Sequence, residues 1–443
     1  MSRFPDGFLW GAATAAAQIE GSPLADGAGA SIWHRFAHTP GRTHNGDTAD
    51  VACDHYRRWK EDVAMMADLG LQAYRFSVAW GRVLPDGTGR VNEKGLDFYE
   101  RLVDALGEAG IAPFLTLYHW DLPAALDDRG GWLNPDAPDW FADYAHAVYA
   151  RLGDRVAAWV TLNEPWVSIS EGYRMGTHAP GHRNLFEAPR AAHHLMRAHA
   201  AAVRSLRADG AQKVGLVVNL EPKHAATDAD RDAARHADAY FNRQFLDPAL
   251  RGTYPDELAA VYGPGWPGYT DADAALCREP LDFVGVNYYS RSVVRASPGA
   301  EPDGVVRVRQ DRAAHTTMDW EVYPDGLTER LLWVTERYGP VPLYVTENGS
   351  AFYDPPTTTG GHVDDPLRVD YLRHHLAAVA DAIEHGADVR GYFAWSLMDN
   401  FEWAAGYAQR FGLVHVDYET QVRTPKASAR AYAEAIRTHG AGL

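Results

Sequence analysis

Short apolar runs rich in β-branched residues alternate with longer amphipathic segments along nearly the whole chain. Eight runs are predicted to be strands: Phe8–Ala13, Ala73–Trp80, Ile111–Tyr118, Val156–Asn163, Val214–Asn219, Phe283–Tyr289, Val341–Thr346 and Gly391–Trp395. Helical spacing of apolar residues predicts helices near residues 54–69, 93–109, 137–152, 187–209, 326–338, 367–385 and 426–438. This alternation is typical of repeated βαβ units and a parallel sheet.

Eight strands that alternate with helical segments, without a linker of disordered composition, favour an α/β fold. We predict a single (β/α)8 TIM barrel with long βα loops, in which residues 1–443 form one catalytic domain. Residues 21–52 and 290–324 are expected to be long loops. An open doubly wound sheet would need a Gly-rich turn after its first strand, and Gly11 to Gly21 contains none. The G-x-G-x-x-G at residues 263–268 contains two prolines and follows no strand, so it is interpreted as a turn.

Composition narrows the classes of function. The 443 residues carry a net charge of −17, which argues against a nucleic-acid partner because phosphate binding needs clustered Lys and Arg. No secretory signal and no apolar stretch of the ~18 residues that a membrane helix needs can be found. Cys53 and Cys277 are far apart, so a disulfide scaffold or Cys-rich zinc site is not expected. We expect a cytoplasmic protein without a membrane partner, a cofactor or a metal.

Two glutamates stand at the ends of predicted strands. Glu164 follows Asn163, Glu347 precedes Asn348, and the two acids are 183 positions apart. A lone ionised carboxylate is costly to bury, so two strands that each end in one suggest a shared site. The carboxyl ends of barrel strands converge on one face. The residues predicted there are Arg75, His119, Trp120, Asn163, Glu164, Tyr289, Glu347 and Trp395. Hydrogen-bonding groups combined with flat rings suit a sugar.

These strand ends carry recognisable motifs. Thr161-Leu162-Asn163-Glu164-Pro165 and Val345-Thr346-Glu347-Asn348-Gly349 resemble the acid/base and nucleophile signatures of family 1 glycoside hydrolases, the β-glucosidase family. Further matches are Phe8-Leu9-Trp10-Gly11, Gln18-Ile19-Glu20-Gly21, Tyr74-Arg75-Phe76-Ser77, Tyr118-His119-Trp120-Asp121-Leu122-Pro123, Asn287-Tyr288-Tyr289, Trp395-Ser396-Leu397-Met398-Asp399-Asn400-Phe401-Glu402-Trp403 and Arg410-Phe411-Gly412-Leu413. They follow the family's order from residue 8 to about residue 426, so the resemblance covers nearly the whole chain.

The resemblance implies a retaining β-glycosidase that removes terminal non-reducing β-D-glucosyl units from small glucosides and oligosaccharides. Glu347 would be the nucleophile, and Glu164 would act first as acid and then as base. Retention needs carboxyls about 5–5.5 Å apart. At that distance, and with an effective dielectric of ~20, two charges repel by about 3 kcal/mol, or roughly two pKa units. Ionised Glu347 would therefore keep Glu164 protonated.

The resemblance also implies supporting roles. Arg75 and Tyr289 would contact the nucleophile, and Asn163 would bind the sugar 2-hydroxyl. Other hydroxyls and the sugar face would meet Gln18, His119, Trp120, Trp395, Glu402 and Trp403. Trp166 and Trp320 would line the aglycone side. A non-proline cis peptide is expected at Trp395-Ser396.

Alternatives remain open at this stage. A preference for galactose or fucose is compatible with the same residues. A 6-phospho-β-glucosidase would need cationic groups where Glu402 places a carboxylate. A catalytically inactive glycan-binding protein would lack one of the two glutamates, and both are present. The expected partner is a small β-glycoside, and the sequence leaves the aglycone and the oligomeric state undetermined.

Overall fold

The closed barrel is defined by a computed structural model that describes residues 3–354 and 361–441. Its strands are β1 (Leu9–Ala13), β2 (Ala73–Ser77), β3 (Ala112–Tyr118), β4 (Ala158–Asn163), β5 (Val214–Asn219), β6 (Phe283–Asn287), β7 (Leu343–Asn348) and β8 (Val389–Trp395). All eight neighbouring pairs are parallel, and β1 pairs with both β2 and β8, which closes the cylinder. The predicted (β/α)8 barrel is confirmed.

A major helical segment follows each strand. These segments are α1 (His55–Asp68), α2 (Glu93–Glu108), α3 (Ala137–Leu152), α4 (Ala188–Asp209), α5 (the consecutive pieces Arg231–Asp238, Ala239–Arg243 and Gln244–Leu250), α6 (Asp325–Tyr338), α7 (Pro366–Glu384) and α8 (Ala427–Arg437). In α2, Leu96, Tyr99, Leu102, Val103 and Leu106 are buried. Their spacing of three or four residues places one apolar face of the helix against the core.

Shorter elements fill the connections. Additional α-helical turns are Ala16–Ile19, Ile32–Ala37, Trp80–Val83, Ala124–Asp127, Pro165–Ile169, Leu258–Tyr262 and Asp271–Ala275. Short 3-10 turns are Ala25–Gly27, His44–Gly46, Gly131–Leu133, Asp228–Asp230, Gly263–Gly265 and Trp403–Ala405, and Ser170–Arg174 is a π-helical turn. Lys223–Ala225, Ser292–Ala296 and Val305–Arg307 form a small outer sheet, and Val414–Val416 pairs with Arg423–Pro425.

Some predicted boundaries and two predicted loops are wrong in detail. The second predicted strand continued to Trp80, but β2 ends at Ser77 and Trp80 begins a helix. Residues 290–324 were expected to be loop, yet they contain two strands of the outer sheet. Residues 21–52 likewise include the helix Ile32–Ala37. The turn expected at residues 263–268 is present as a short 3-10 segment.

Aromatic rings fill the lower part of the barrel. The Phe114 ring of β3 lies 4.9 Å from Phe393 of β8 and 5.4 Å from Tyr344 of β7. Because β3 neighbours neither of these strands, the three rings meet across the barrel interior. This packing closes one end of the barrel and leaves the carboxyl ends of the strands to carry long loops.

Within residues 3–354 and 361–441, no helix is both long and apolar enough to cross a membrane.

Candidate active site

A cavity of about 500 Å³ opens at the carboxyl ends of the strands. Its volume is within the range typical of small-molecule sites. Ten of the residues predicted from the sequence line it: His119, Trp120, Glu164, Trp166, Tyr289, Trp320, Glu347, Trp395, Glu402 and Trp403. Glu164 directly follows β4 and Glu347 lies near the end of β7, so the barrel brings the two distant glutamates to one cavity.

Glu347 is held by a cation and a hydroxyl group. Its Oε1 accepts a hydrogen bond from Arg75 Nη1 at 2.6 Å, and its Oε2 accepts one from the Tyr289 hydroxyl at 2.7 Å. Arg75 comes from β2 and is completely buried. Burial raises the pKa of Glu347, and the Arg75 guanidinium opposes that rise. Both donors stabilise the ionised carboxylate.

Glu164 has a different environment. Its backbone adopts a left-handed conformation, with φ 47° and ψ 65°. The Asn287 amide donates to its Oε1 at 2.6 Å, and Asn287 is a neutral donor. Burial first, and the charge of Glu347 second, raise the pKa of Glu164 to about 8. At neutral pH the proton therefore belongs on Glu164, while Glu347 carries the charge.

Asn163 connects the two halves of the site. Its Oδ1 accepts from Arg75 Nη2 at 2.6 Å and from Asn287 Nδ2 at 3.0 Å. Its Nδ2 must then be the donor to His119 Nε2, 3.1 Å away. Burial, and then the Arg75 charge, lower the pKa of His119 well below its ordinary value, so the ring is neutral. His119 Nδ1 consequently carries the hydrogen, and it has no protein partner within the described residues.

Tryptophan rings form one wall of the cavity. The His119 ring lies stacked 5.8 Å from Trp395 and 5.9 Å from Trp403, and Trp120 lies 4.6 Å from Trp403. Trp120 and Trp403 have positive φ values of 73° and 52°. Positive φ is costly for bulky residues and is concentrated at functional sites. The peptide bond between Trp395 and Ser396 is cis, as expected.

Gln18, Arg75 and Asn163 do not line the cavity themselves but contact residues that do. Gln18 Nε2 donates to the Phe401 carbonyl at 2.9 Å and more weakly to Glu402 Oε2 at 3.4 Å. Gln18 Oε1 is buried and has no protein partner within residues 3–354 and 361–441. Burial and the charge of Glu347 raise the pKa of Glu402 to about 8.

The outer part of the cavity carries the other two predicted tryptophans. Trp320 lies 5.2 Å from the Tyr289 ring, and Trp166 lies 4.3 Å from Phe241. Both are half-buried, so a face of each remains open to the cavity.

Sequence reasoning gave no role to Asn287, although it contacts both Asn163 and Glu164. Its position at the end of β6, inside a matched motif, was the available signal. Thr346 donates to Asn287 Oδ1 at 2.7 Å, which leaves the amide nitrogen facing Glu164. Further lining residues were not among the predicted site residues: Glu171, His178, Asn219, Glu221, Phe241 and Arg307.

Comparison with known proteins agrees with this geometry. Residues 1–441 match Glycosyl hydrolase family 1. The chain is 50% identical to β-glucosidase A of Thermotoga maritima, with 99% of both chains covered, and 50% identical to a 1,4-β-D-glucan glucohydrolase of Thermotoga neapolitana, also with 99% coverage of both. The solved structure of the Thermotoga maritima β-glucosidase in complex with castanospermine superposes with a TM-score of 0.97 at 49% identity, covering 100% of each chain. The chain therefore belongs to glycosyl hydrolase family 1.

Proposed function

We propose that the chain hydrolyses terminal non-reducing β-D-glucosyl units of small glucosides and oligosaccharides. Family 1 enzymes are retaining glycosidases, so the reaction passes through a covalent glycosyl-enzyme. The different environments of the two buried carboxyls support the roles given to them in the two steps. Glu347 accepts from a guanidinium, whereas Glu164 has a pKa raised to about 8.

In the first step, a carboxylate oxygen of Glu347 attacks the anomeric carbon. As the bond from that carbon to the aglycone oxygen breaks, Glu164 gives its proton to the leaving oxygen. Arg75 and Tyr289 hold the attacking carboxylate in place through its two oxygens. The products of this step are the free aglycone and a glucosyl ester of Glu347.

In the second step, Glu164 acts as a base. The ester of Glu347 is neutral, so the repulsion that favoured the proton on Glu164 is gone and its pKa falls. Glu164 takes a proton from water, and the resulting hydroxide attacks the anomeric carbon as the ester bond breaks. Two inversions restore the β configuration and regenerate the starting protonation states.

The remaining residues would bind the glucosyl unit. Asn163 would donate from Nδ2 to the 2-hydroxyl, where contacts strengthen in the transition state. His119 Nδ1 and Gln18 Oε1, which lack protein partners in the described part of the chain, would meet other hydroxyls. Glu402 would accept a further hydroxyl bond. The ring faces would be provided by Trp120, Trp395 and Trp403, and the aglycone would lie between Trp166 and Trp320.

The alternatives predict different substrates. A 6-phospho-β-glucosidase would have to place a phosphate near Glu402, where an acidic side chain stands instead of the cationic donor that a phosphate needs. An inactive glycan-binding protein would not need two glutamates with such different protonation. An enzyme that prefers galactose or fucose would differ only in its contacts with the sugar hydroxyls. The hydrolysis rates of the different glycosides distinguish these preferences.

A panel of 4-nitrophenyl β-D-glycosides tests the substrate assignment. The panel contains the glucoside, the galactoside, the fucoside and the glucoside 6-phosphate, and kcat/KM is measured for each. We expect the glucoside to be hydrolysed fastest. A higher value for the galactoside or fucoside would overturn the glucose preference, and hydrolysis confined to the 6-phosphate would overturn the neutral-sugar assignment.

Two variants test the roles of the glutamates. Glu347→Gln should lose roughly 10⁴–10⁶-fold in kcat on every substrate, as removal of a catalytic nucleophile does in other enzymes. Glu164→Gln should lose much less in the first step with 2,4-dinitrophenyl glucoside, because that leaving group needs no proton. Glu321→Gln is a matched control: Glu321 is buried, pairs with Arg291 at 2.9 Å and does not line the cavity.

Added azide distinguishes the two roles by stereochemistry. In Glu164→Gln the anion attacks the glucosyl ester of Glu347, so we expect the β-glucosyl azide. In Glu347→Gln it would replace the nucleophile and attack the substrate directly, which gives the α-glucosyl azide. The opposite pattern would exchange the assignments.

We further propose that residues 1–443 act as one catalytic domain in the cytoplasm. Cys53 and Cys277 are both buried free thiols, which suits a reducing compartment. A single calorimetric unfolding transition would support the first proposal and two separate transitions would contradict it. Detection of the native protein in fractionated cells tests the second.

A further inference from the structure

Two histidines and an aspartate lie close together in the connection between β1 and α1. His34 belongs to the helix Ile32–Ala37, and His38 is the residue that ends it. Four positions apart, their rings share one face, with centroids 4.3 Å apart. The Asp50 carboxylate lies opposite them, with Oδ2 3.1 Å from His38 Nε2 and Oδ1 3.7 Å from His34 Nδ1. One ligand atom from each of the three residues lies within 4.8 Å of the others.

One hydrogen bond of His38 fixes which of its ring nitrogens carries a hydrogen. Its Nδ1 lies 2.7 Å from the His34 carbonyl oxygen. A carbonyl can only accept, so Nδ1 carries a hydrogen and a neutral ring has its lone pair on Nε2. That lone pair faces an oxygen of Asp50. Two hydrogen-bond acceptors 3.1 Å apart repel each other unless a cation is shared between them. That cation is either a proton or a metal ion.

The same arrangement is typical of metal ligands. A metal-bound histidine usually donates its other ring N–H to a carbonyl or carboxylate, which orients the ring. The His34 carbonyl already provides this acceptor for His38. The backbone of Asp50 is also held in place, because its carbonyl accepts a hydrogen bond from the Ser22 amide at 2.7 Å. The ligand geometry would therefore need little rearrangement.

The cluster has room for an ion and is open to solvent. The three residues line a pocket of about 60 Å³, which exceeds what an ion with a bound water requires. The side chains of His34, His38 and Asp50 are 20%, 42% and 47% exposed. An ion could thus enter from solution and keep water at its remaining positions.

We propose that His34, His38 and Asp50 form a binding site for a divalent transition-metal ion of the Zn²⁺ or Cu²⁺ type. Two imidazole nitrogens and one carboxylate oxygen suit such ions better than Mg²⁺ or Ca²⁺, which prefer oxygen ligands. The ion would tie the helix Ile32–Ala37 to the chain at Asp50. This departs from the expectation of no metal, because Asp50 stands twelve positions beyond His38 and no local motif connects them.

Calorimetric titration of the full chain, without a histidine tag, tests the site with ZnCl₂ at pH 7.5. We expect one ion per chain with a dissociation constant in the micromolar range. His38→Gln and Asp50→Asn should each weaken binding at least tenfold. His146→Gln is the matched control, because His146 is an exposed histidine paired with Asp209 at 2.8 Å, and it should bind as tightly as the unaltered protein.

Three outcomes would overturn the proposal. They are equal affinity in His38→Gln, absence of binding below millimolar Zn²⁺, and loss of binding in Glu347→Gln, which would place the ion at the catalytic carboxylates. Electron paramagnetic resonance of bound Cu²⁺ provides a measurement on the unaltered protein. We expect splitting from two ring nitrogens, and a spectrum without nitrogen splitting would equally reject the site.

Discussion

Replacing Glu347 by glutamine should lower the pKa of Glu164 from about 8 to about 6. The substitution removes one negative charge and keeps the size of the side chain. In the unaltered protein the pKa of Glu164 is raised to about 8, with burial the larger cause and the charge of Glu347 the second. Only the second cause disappears, so the pKa should fall without returning to the ordinary value of a glutamate.

The size of the fall follows from Coulomb's law. In a retaining enzyme the two carboxyls lie about 5–5.5 Å apart. With an effective dielectric of ~20, their repulsion is about 3 kcal/mol, which corresponds to roughly two pKa units. Arg75 would lose the carboxylate that it contacts at 2.6 Å. Its uncompensated charge would favour ionised Glu164 and so act in the same direction.

Carbon-13 NMR can measure this pKa directly. Protein labelled at the glutamate carboxyl carbons is titrated from pH 4 to pH 10, and the Glu164 resonance is identified by its loss in Glu164→Gln. Glu321→Gln should leave the Glu164 titration unchanged. A fall smaller than half a unit in Glu347→Gln, or a rise, would refute the reasoning that repulsion between these two groups keeps the acid protonated.

Three further predictions concern Tyr289, Glu164 and a buried ion cluster outside the cavity. Tyr289→Phe removes the 2.7 Å hydrogen bond to Glu347, so the pKa of Glu347 should rise and the acidic limb of kcat/KM should move up by roughly one pH unit; an unmoved limb would contradict this. Glu164→Gln removes a carboxyl whose folded pKa lies above its unfolded value. The free energy of unfolding that this variant gains over the unaltered protein should therefore grow by about 1.4 kcal/mol per pH unit between about pH 4 and 8. Equal gains in urea unfolding at pH 5 and pH 8 would contradict this prediction. Lys426→Met removes one of the two cations that pair with each of the buried carboxylates of Asp354 and Asp399, whose remaining partners are Arg368 and Arg410, and should cost about 3 kcal/mol in urea unfolding; a loss below about 1 kcal/mol would exclude that role.

Elements with a clear apolar period were predictable to the residue. Helix α3 and strand β5 begin and end where the pattern places them, at 137–152 and 214–219. The extension of β2 to Trp80 failed because Val78 and Trp80 are completely buried although they lie outside the strand. An apolar pattern reports burial, and it does not report whether the backbone pairs with a neighbouring strand.

The outer sheet was missed for the opposite reason. Val305–Arg307 is half-buried at one end and exposed at the other, so it shows no apolar run. Its pairing with Ser292–Ala296 depends on two segments of a long connection meeting in space. Such pairing is decided by tertiary contacts, which leave little trace in local sequence. The cavity residue Arg307 belongs to this sheet and escaped prediction in the same way.

Strand-end residues of the site were predictable because a barrel brings strand ends together whatever their separation in sequence. Their different chemistry required more than position. Glu164 and Glu347 are both buried, and both lie at the ends of strands. They differ in their donors: Glu347 receives a guanidinium, and Glu164 receives a neutral amide. The sequence predicts which residues lie near one another at the strand ends, but it does not show which donor contacts which carboxylate.

The donor that separates the two glutamates can reach them only in a closed barrel. Arg75 belongs to β2, whose neighbours are β1 and β3. Its guanidinium nevertheless contacts Asn163 of β4 and Glu347 of β7, neither of which lies on a strand adjacent to β2. A single side chain can cross to both only through the interior that closure creates. Since this contact favours ionised Glu347, and the charge of Glu347 keeps the proton on Glu164, closure of the sheet is what gives the proposed nucleophile its charge and the proposed acid its proton.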